Sequence, residues 1–291
     1  PALAIMKPSN IFKKEDETVN ILFCGDHRAE DGVLIVTLSL LHHVKEPLNI
    51  YILTMKTATK SLQYEPFSKK AANLLTQQLQ SYNPKNSLHL IDCTELFNES
   101  QPLANMNSRF TPYSMLRLYV DLIPNMPDRL LYLDNDVICR ESFDDFYHQD
   151  LTGVQVVGVL DHYGKWFFHH QMRMADYINS GILLLNLPEI KRTNLFVKAR
   201  RMIATRHMFM PDQAAINRLS HAKKIAPRRF NDQRRLHHDT VFQHFTTSFR
   251  FFPWFHILTV KPWQINNVHK DLRLHEYDGL LEEYRQLKSE L

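Results

Sequence analysis

Apolar positions fall in short blocks along this chain, and their spacing changes from block to block. Residues 19–24 form a short apolar run, which predicts a buried strand ending in the polar turn Gly25-Asp26-His27. Residues 33–44 then place apolar side chains at helical spacing. A strand over 48–54, a long amphipathic helix over 66–82 and a third strand over 87–93 follow. A helix over 113–122 leads into a strand that stops at Leu133. Two more strands (155–160 and 181–187) and a helix over 189–205 complete the regular part. Alternating strands and helices predict an α/β fold with a mostly parallel sheet and helices on both faces.

After residue 225 the pattern changes. Residues 225–263 mix Arg, His and aromatic residues between short strand-like pieces, and the tail from Asp278 is expected as an exposed amphipathic helix. No repeat, low-complexity block or Pro/Gly-rich linker divides the chain. The expected organisation is a loose polar leader over 1–17, one domain over 18–263 and a helical tail over 264–291.

Composition narrows the function classes. A length of 291 residues with 44% hydrophobic positions suffices for a large buried core. The net charge of +4 does not suggest a dedicated nucleic-acid binder. Cys24, Cys93 and Cys139 stand far apart and form no C-x-x-C pair, so reduced thiols in a cytosolic protein are expected. No signal peptide is visible, and the longest apolar run, residues 33–41, is too short to span a bilayer.

The chemistry concentrates where the strand ending at Leu133 meets Asp134-Asn135-Asp136. Side chains two apart on an extended chain leave the same face, so the two carboxylates converge. Converged carboxylates repel unless a cation sits between them, and hard oxygen ligands suit Mg²⁺ or Mn²⁺. A divalent ion at the carboxyl end of a strand is well placed to hold a diphosphate. Neither G-x-G-x-x-G nor G-x-x-x-x-G-K-[ST] occurs among the seven glycines, so a glycine loop is not the phosphate-binding device. That combination points toward nucleotide-sugar chemistry.

Several segments, in order, resemble family 8 glycosyltransferases, the retaining GT-A group that includes glycogenin and bacterial lipopolysaccharide galactosyl- and glucosyltransferases. They are Asn20-Ile21-Leu22-Phe23-Cys24-Gly25-Asp26, Tyr113-Ser114-Met115-Leu116-Arg117-Leu118, Leu131-Tyr132-Leu133-Asp134-Asn135-Asp136, Ile178-Asn179-Ser180-Gly181-Ile182-Leu183-Leu184-Leu185-Asn186-Leu187, Pro211-Asp212-Gln213-Ala214-Ala215-Ile216-Asn217 and Lys261-Pro262-Trp263. The likeness spans roughly residues 18–263. It implies a Rossmann-like GT-A fold and a Mn²⁺-dependent transfer (Mg²⁺ is the other option) of glucose or galactose from a UDP-sugar. The implied acceptor is a hydroxyl of a saccharide, glycolipid or glycoprotein.

The resemblance also implies site residues. Asp134 and Asp136 would bind the metal, Asn135 the ribose, and Cys24 and Asp26 the uracil. Lys261 would meet the diphosphate, and Arg117, Asp161, Asn179, Asp212 and Gln213 would line the donor sugar. Read from sequence alone, the alternatives are a turn residue for Asp26, a helix N-cap for Asp212 and a strand-end hydrogen bonder for Asn179. Gln213 stands where a nucleophile would be expected, and an amide is a weak one, so front-side attack is the expected route.

The family's third metal ligand is a His within H-[FY]-x-G-x-x-K-P-W, and this chain departs from that string. Val241-Phe242-Gln243-His244-Phe245 carries the strand and the H-F pair, with about a dozen extra residues before Lys261. Phe255-His256 lies closer but lacks the glycine. His244 is the expected ligand, because a strand followed by a loop insertion needs one change; His256 is the alternative.

The aromatic run 249–255 beside Arg228, Arg229, Arg234 and Arg235 fits sugar stacking or peripheral contact with the inner face of a membrane. His237-His238-Asp239 reads as a loop. Two other readings stand against the transferase. One is a haloacid-dehalogenase-like phosphatase, whose D-x-D belongs on the first strand; the other is a relative that binds UDP-sugar without catalysis.

Overall fold

The first apolar run folds as strand β1 (Val19–Cys24), buried along most of its length. The computed structural model describes residues 18–60, 62–108, 111–162, 176–233, 235–250 and 256–291. The leader over 1–17, Arg234 and residues 251–255 of the aromatic run lie outside the described residues. Helix α1 (Glu30–His43), β2 (Leu48–Thr54), a short antiparallel pair β3 (Thr57–Ala58) and β4 (Gln63–Tyr64), and α2 (Lys69–Tyr82) follow. The Ser68 hydroxyl caps α2 by accepting from Ala71 N at 3.1 Å, so the helix starts three residues later than the pattern suggests.

Then come β5 (Ser87–Asp92), α3 (Thr94–Glu99), α4 (Tyr113–Leu116), β6 (Arg129–Leu133), β7 (Val137–Cys139) and α5 (Asp144–Tyr147). β8 (Val156–Leu160), β9 (Ile178–Asn186), α6 (Leu187–Arg192), α7 (Leu195–Thr205) and α8 (Pro211–Leu219) carry the chain back to the sheet. The last part holds β10 (Lys223–Ala226), β11 (Phe242–His244), β12 (Ser248–Arg250), β13 (His256–Leu258), α9 (Ile265–Leu272) and α10 (Asp278–Leu287).

Seven strands form the main sheet in the order β10-β8-β9-β6-β1-β2-β5. All neighbours run parallel except β9, which is antiparallel to both β6 and β8. The expected mixed, mostly parallel sheet is the one found. Because β9 is reversed, its first residues lie at the same edge as the last residues of β1, β6 and β8. Alternation along β6 sends Leu131 and Leu133 into the apolar layer beneath α1, and Leu130 and Tyr132 into the layer on the other face.

Four elements differ from the pattern. Helix α1 is buried continuously from Gly32 to Leu41, because α2, α10 and β7 all pack on it; such a helix is apolar all round instead of amphipathic. The helix expected over 113–122 is α-helical only to Leu116, and Arg117–Leu122 winds as a 3₁₀ helix. Buried Arg200 donates to the Leu118 carbonyl, the group that a further α-turn would use. The helix expected over 189–205 breaks at Asn194, which takes φ 54°. Just before it the Thr193 hydroxyl donates back to Glu189 O at 2.7 Å, and asparagine tolerates the left-handed conformation.

The C-terminal helix is not an exposed tail. Leu280, Leu281 and Tyr284 are buried in the layer shared with α1, and the Tyr284 hydroxyl donates to Asp31 Oδ1 at 2.5 Å. The extra residues before Lys261 hold the antiparallel pair β12–β13.

Arg200 and Asp121 fasten α7 to the 3₁₀ helix that carries Arg117, with contacts of 2.5 and 3.2 Å and both side chains under one-tenth exposed. Removing one member of such a pair strands a buried charge, so Asp121→Ala should lower stability by about 3–5 kcal/mol. Urea denaturation measures this, and a loss below about 1 kcal/mol would show that the pair is solvated in solution.

Candidate functional site

The site lies along the sheet edge where β1, β6 and β8 end and β9 begins. Asp134, Asn135 and Asp136 make the turn between β6 and β7, and Asp134 N still donates to Gly181 O of β9 at 2.7 Å. Strand β11 pairs antiparallel with β7, placing His244 opposite Val137. That register carries the imidazole to the two carboxylates: His244 Nε2 is 3.7 Å from Asp134 Oδ2 and 3.1 Å from Asp136 Oδ1. A slip of one residue would turn the ring to the opposite face.

Each carboxylate is divided between the protein and the centre of the site. Asp134 Oδ1 accepts the Tyr132 hydroxyl at 2.6 Å and Arg117 Nη2 at 3.1 Å. Asp136 Oδ2 accepts Lys261 Nζ, which also donates to the Phe245 carbonyl at 3.0 Å. The other oxygens, Asp134 Oδ2 and Asp136 Oδ1, face His244. Asp136 Oδ1 is buried and lacks a hydrogen-bond partner among the described residues. One atom from each of Asp134, Asp136 and His244 lies within 4.8 Å of the others. An unsatisfied buried carboxylate oxygen beside a second carboxylate and an imidazole fits a divalent cation.

Around this centre charge is buried and balanced. Burial, the largest single effect, would raise the Asp136 carboxyl, but Lys261 and His244 together outweigh it and hold the group well below the usual carboxylate range. Asp212 moves upward, first through burial and further through Asp134, although Arg117 opposes the shift at 3.5 Å. Arg117 itself is enclosed. It donates to the carbonyls of Ser114 and Ser180, contacts Asp134 and Asp212, and lies 3.9 Å over the Tyr132 ring. The resemblance implies that Arg117 lines the donor sugar; in the structure its guanidinium clamps two carboxylates.

The remaining expected residues gather at the same edge. The Gln213 amide donates to Asp161 Oδ2 at 3.1 Å and accepts from Ser180 N at 2.9 Å. Asn179 Nδ2 donates to the same Asp161 oxygen at 2.9 Å, and the Ser180 hydroxyl donates to Asp212 Oδ2 at 3.1 Å. Asp212, Gln213, Asp161 and Asn179 are all under one-tenth exposed. Asp26 follows β1, but its carboxylate already accepts the Arg28 guanidinium at 2.6 and 2.8 Å and caps the turn at Arg28 N. Burial pushes the Cys24 thiol up, so it stays neutral. His256 lies in β13, opposite Arg250 of β12. Arg228 is committed to Asp232 and Asp239, which removes it from any free basic surface.

Two glycines owe their identity to close approach. A β-carbon at Gly181 would overlap His244 Cε1 and reach 2.8 Å from Asp134 Oδ2. One at Gly32 of α1 would overlap the Asn135 carbonyl and stand 2.8 Å from the Trp263 ring, so α1 and Trp263 together support the carboxylate turn. Tyr132, Ser180 and Asn231 were not singled out from sequence. Tyr132 and Ser180 sit inside quoted motifs, where position was the available signal; Asn231 has none, lying in an irregular loop after the 3₁₀ turn Arg228–Phe230.

Comparison with known proteins gives a consistent picture. Residues 20–266 match the sequence model of the family described as glycosyl transferase family 8. A lipopolysaccharide 1,2-glucosyltransferase of Escherichia coli is 24% identical over 94% of this chain and 86% of its own length. A lipopolysaccharide 1,3-galactosyltransferase of Salmonella typhimurium is 26% identical over 46% of this chain and 39% of its own. Among solved structures, the galactosyltransferase LgtC in complex with donor and acceptor sugar analogs aligns over 94% of this chain and 100% of its own, with TM-score 0.63 and 16% identity. The bifunctional glycosyltransferase WbbM aligns over 92% of this chain and 52% of its own, with TM-score 0.65 and 13% identity. At these identities the structural likeness shows the fold, which is the GT-A arrangement.

The Gly181 clearance has a direct test. Gly181→Ala should destabilise the protein by about 1–3 kcal/mol through overpacking against the His244 ring. In a His244→Ala background the same substitution should cost much less, since the colliding ring is gone. A double-mutant cycle by chemical denaturation measures the coupling; strictly additive effects would show that the clash lies elsewhere.

Proposed function

Because the chain belongs to glycosyl transferase family 8 and is therefore a glycosyltransferase, we propose that it moves a hexose, glucose or galactose, from a UDP-sugar to an acceptor hydroxyl with retention of configuration. The observation that carries this reading is the trio Asp134, Asp136 and His244, which offer one ligand atom each within 4.8 Å of one another. These residues would hold the ion, and a mixed oxygen and nitrogen set favours Mn²⁺ over Mg²⁺. When bound, that ion supplies the charge that neutralises the donor diphosphate.

The chain's own groups divide the remaining work. Lys261, about a quarter exposed beside Asp136, offers its ammonium to the departing diphosphate. Asp26 and the Cys24 backbone receive the uracil, and Asn135 meets the ribose. Asp161, Asn179, Asp212 and Gln213 shape the wall behind the donor sugar, while Arg117 holds Asp134 and Asp212 in place. The Gln213 amide is tied at both ends, to Ser180 and to Asp161, which favours a non-covalent role. The acceptor oxygen attacks the anomeric carbon from the face that UDP leaves, and a phosphate oxygen takes its proton. The acceptor is a saccharide, glycolipid or glycoprotein, of the kind built into cell-surface glycans.

Among the described residues no helix is long and apolar enough to cross a membrane. Work in the cytoplasm, with peripheral contact at the inner membrane face through Arg229, Arg235 and the aromatic run 249–255, completes the proposal.

Calorimetric titration with UDP should give strong binding in Mn²⁺ and weak binding in EDTA. Asp134→Ala and Asp136→Ala should remove both the metal-dependent binding and transfer; equal UDP affinity in Mn²⁺ and EDTA would sink the metal-bridged site.

A screen of several UDP-sugars identifies the donor, and proton NMR of the product should show an α-linkage. A β-linked product would overturn retention. Gln213→Ala should slow transfer by about 10²–10³ without abolishing it, the usual cost of one lost electrostatic contact. A glycosyl adduct on Gln213 or Asp212 in the intact-protein mass spectrum would favour double displacement instead.

A further inference from the structure

We propose that Asn217 is a positioning residue: its side-chain amide replaces a strand partner for Ile178, and so fixes the register of α8 against β9 that brings Gln213 and Asp212 to the donor sugar. The proposal rests on the reading that those two residues face the sugar; the bonds that carry it are the chain's own. Asn217 is 7% exposed and lies one turn after Gln213. Its Nδ2 donates to Ile178 O at 2.7 Å and to Gln213 O at 2.9 Å, and its Oδ1 accepts from Ile178 N at 2.8 Å.

The strands explain why a side chain is needed there. Across β8 and β9, Leu160 lies opposite Ile178, and Asp161 N donates to Tyr177 O at 2.9 Å. A bond between the residues flanking a pair marks that pair as non-hydrogen-bonded, so the N–H and C=O of Ile178 point away from β8. On the other side the β6 ladder ends with Leu133 opposite Ile182 and one further bond, Asp134 N to Gly181 O. Ile178 is fully buried, so water cannot take the two groups, and a buried peptide group left unpaired is costly. Asn217 pairs with both. A backbone N–H only donates and a carbonyl only accepts, so the amide has one orientation.

This pairing sets a register. Gln213 and Asn217 are four apart on α8, a rise of about 6.0 Å. Their amide oxygens accept from Ser180 N at 2.9 Å and Ile178 N at 2.8 Å. Those two residues are two apart on β9, about 6.6 Å of strand. Helix and strand therefore run in opposite directions with matching spacing, joined by two amide rungs. One rung alone would let α8 pivot about it. With both in place the Gln213 amide reaches Asp161 Oδ2 at 3.1 Å, and the Ser180 hydroxyl reaches Asp212 Oδ2 at 3.1 Å. The effect of Asn217 on the chemistry passes through α8.

Two measurements on the full-length protein test this. The first is amide hydrogen exchange by ¹H–¹⁵N NMR, which needs no activity. Asn217→Ala should speed exchange at Ser180 about tenfold relative to Leu184 within β9, the effect of freeing one buried hydrogen bond. The second is hydrolysis of UDP-glucose and UDP-galactose with Mn²⁺. Asn217→Ala should lower kcat about 10²-fold, as expected for a displacement of about 1 Å, and leave UDP affinity unchanged, since UDP carries no sugar. In a Gln213→Ala background the same substitution should cost less than about twofold more, because residues that act as a unit are not additive. If the alanine variant does not fold, Asn217→Asp should give the same pattern. It loses both donated bonds, while Lys223 Nζ, 3.4 Å from Oδ1, offsets the new charge. A Ser180-to-Leu184 exchange ratio that stays at the wild-type value, multiplicative losses in the double variant, or UDP affinity falling in step with kcat would overturn the proposal. A wild type that neither binds UDP nor hydrolyses either sugar nucleotide would refute the donor reading instead, and the exchange ratio would still decide the register.

Discussion

Two carboxylates and an imidazole nitrogen held within 4.8 Å of one another set the terms for the rest of this structure. Like groups at that distance repel, and burial strengthens the repulsion because less solvent screens it. The protein answers by splitting each carboxylate. One oxygen of Asp134 is paired with the Arg117 guanidinium and accepts the Tyr132 hydroxyl, and one oxygen of Asp136 is paired with Lys261. Asp136 Oδ1 is left without a hydrogen-bond partner among the described residues, a demand that a cation would meet.

That arrangement propagates outward through packing. Arg117 can reach Asp134 because its 3₁₀ helix is fastened to α7 by Arg200 and Asp121. His244 arrives because β11 pairs with β7 in a single register, and its ring fits because position 181 has no side chain. The carboxylate turn rests on α1 and Trp263 through the second clearance, at Gly32. The C-terminal helix, through Leu281 and Tyr284, closes the far side of α1. A helix buried on all sides makes a stiff support, and a site that must hold opposed charges needs one.

A buried polar network is unforgiving when incompletely paired. Here the network around Asp161, Asn179, Asn231, Gln213 and Ser180 pairs obligate donors with obligate acceptors, so each amide has one permitted orientation. Specificity of this sort lies in hydrogen-bond direction, which shape alone does not control. It also joins the parts of the site, since the carboxylate that takes the Gln213 amide also takes that of Asn179, whose oxygen accepts the Asn231 NH₂.

Much of this was legible in one dimension because local periodicity and short motifs are local physics. Alternating apolar runs at strand and helix spacing determined the α/β class, and the i, i+2 spacing of Asp134 and Asp136 placed two carboxylates on one face of a strand end. The ordered segments from Asn20 to Trp263 carried the family likeness. What the chain order could not contain are relations between distant residues. The pairing of β7 with β11 brings together Asp136 and His244 across a gap that no periodicity spans. Burial of α1 on every side and of the C-terminal helix on one depends on which surfaces meet, as does the enclosure of Arg117. Asn231 left no trace in sequence, since its hydrogen bonds to Asn179 and His244 exist only once the tertiary structure has closed around them.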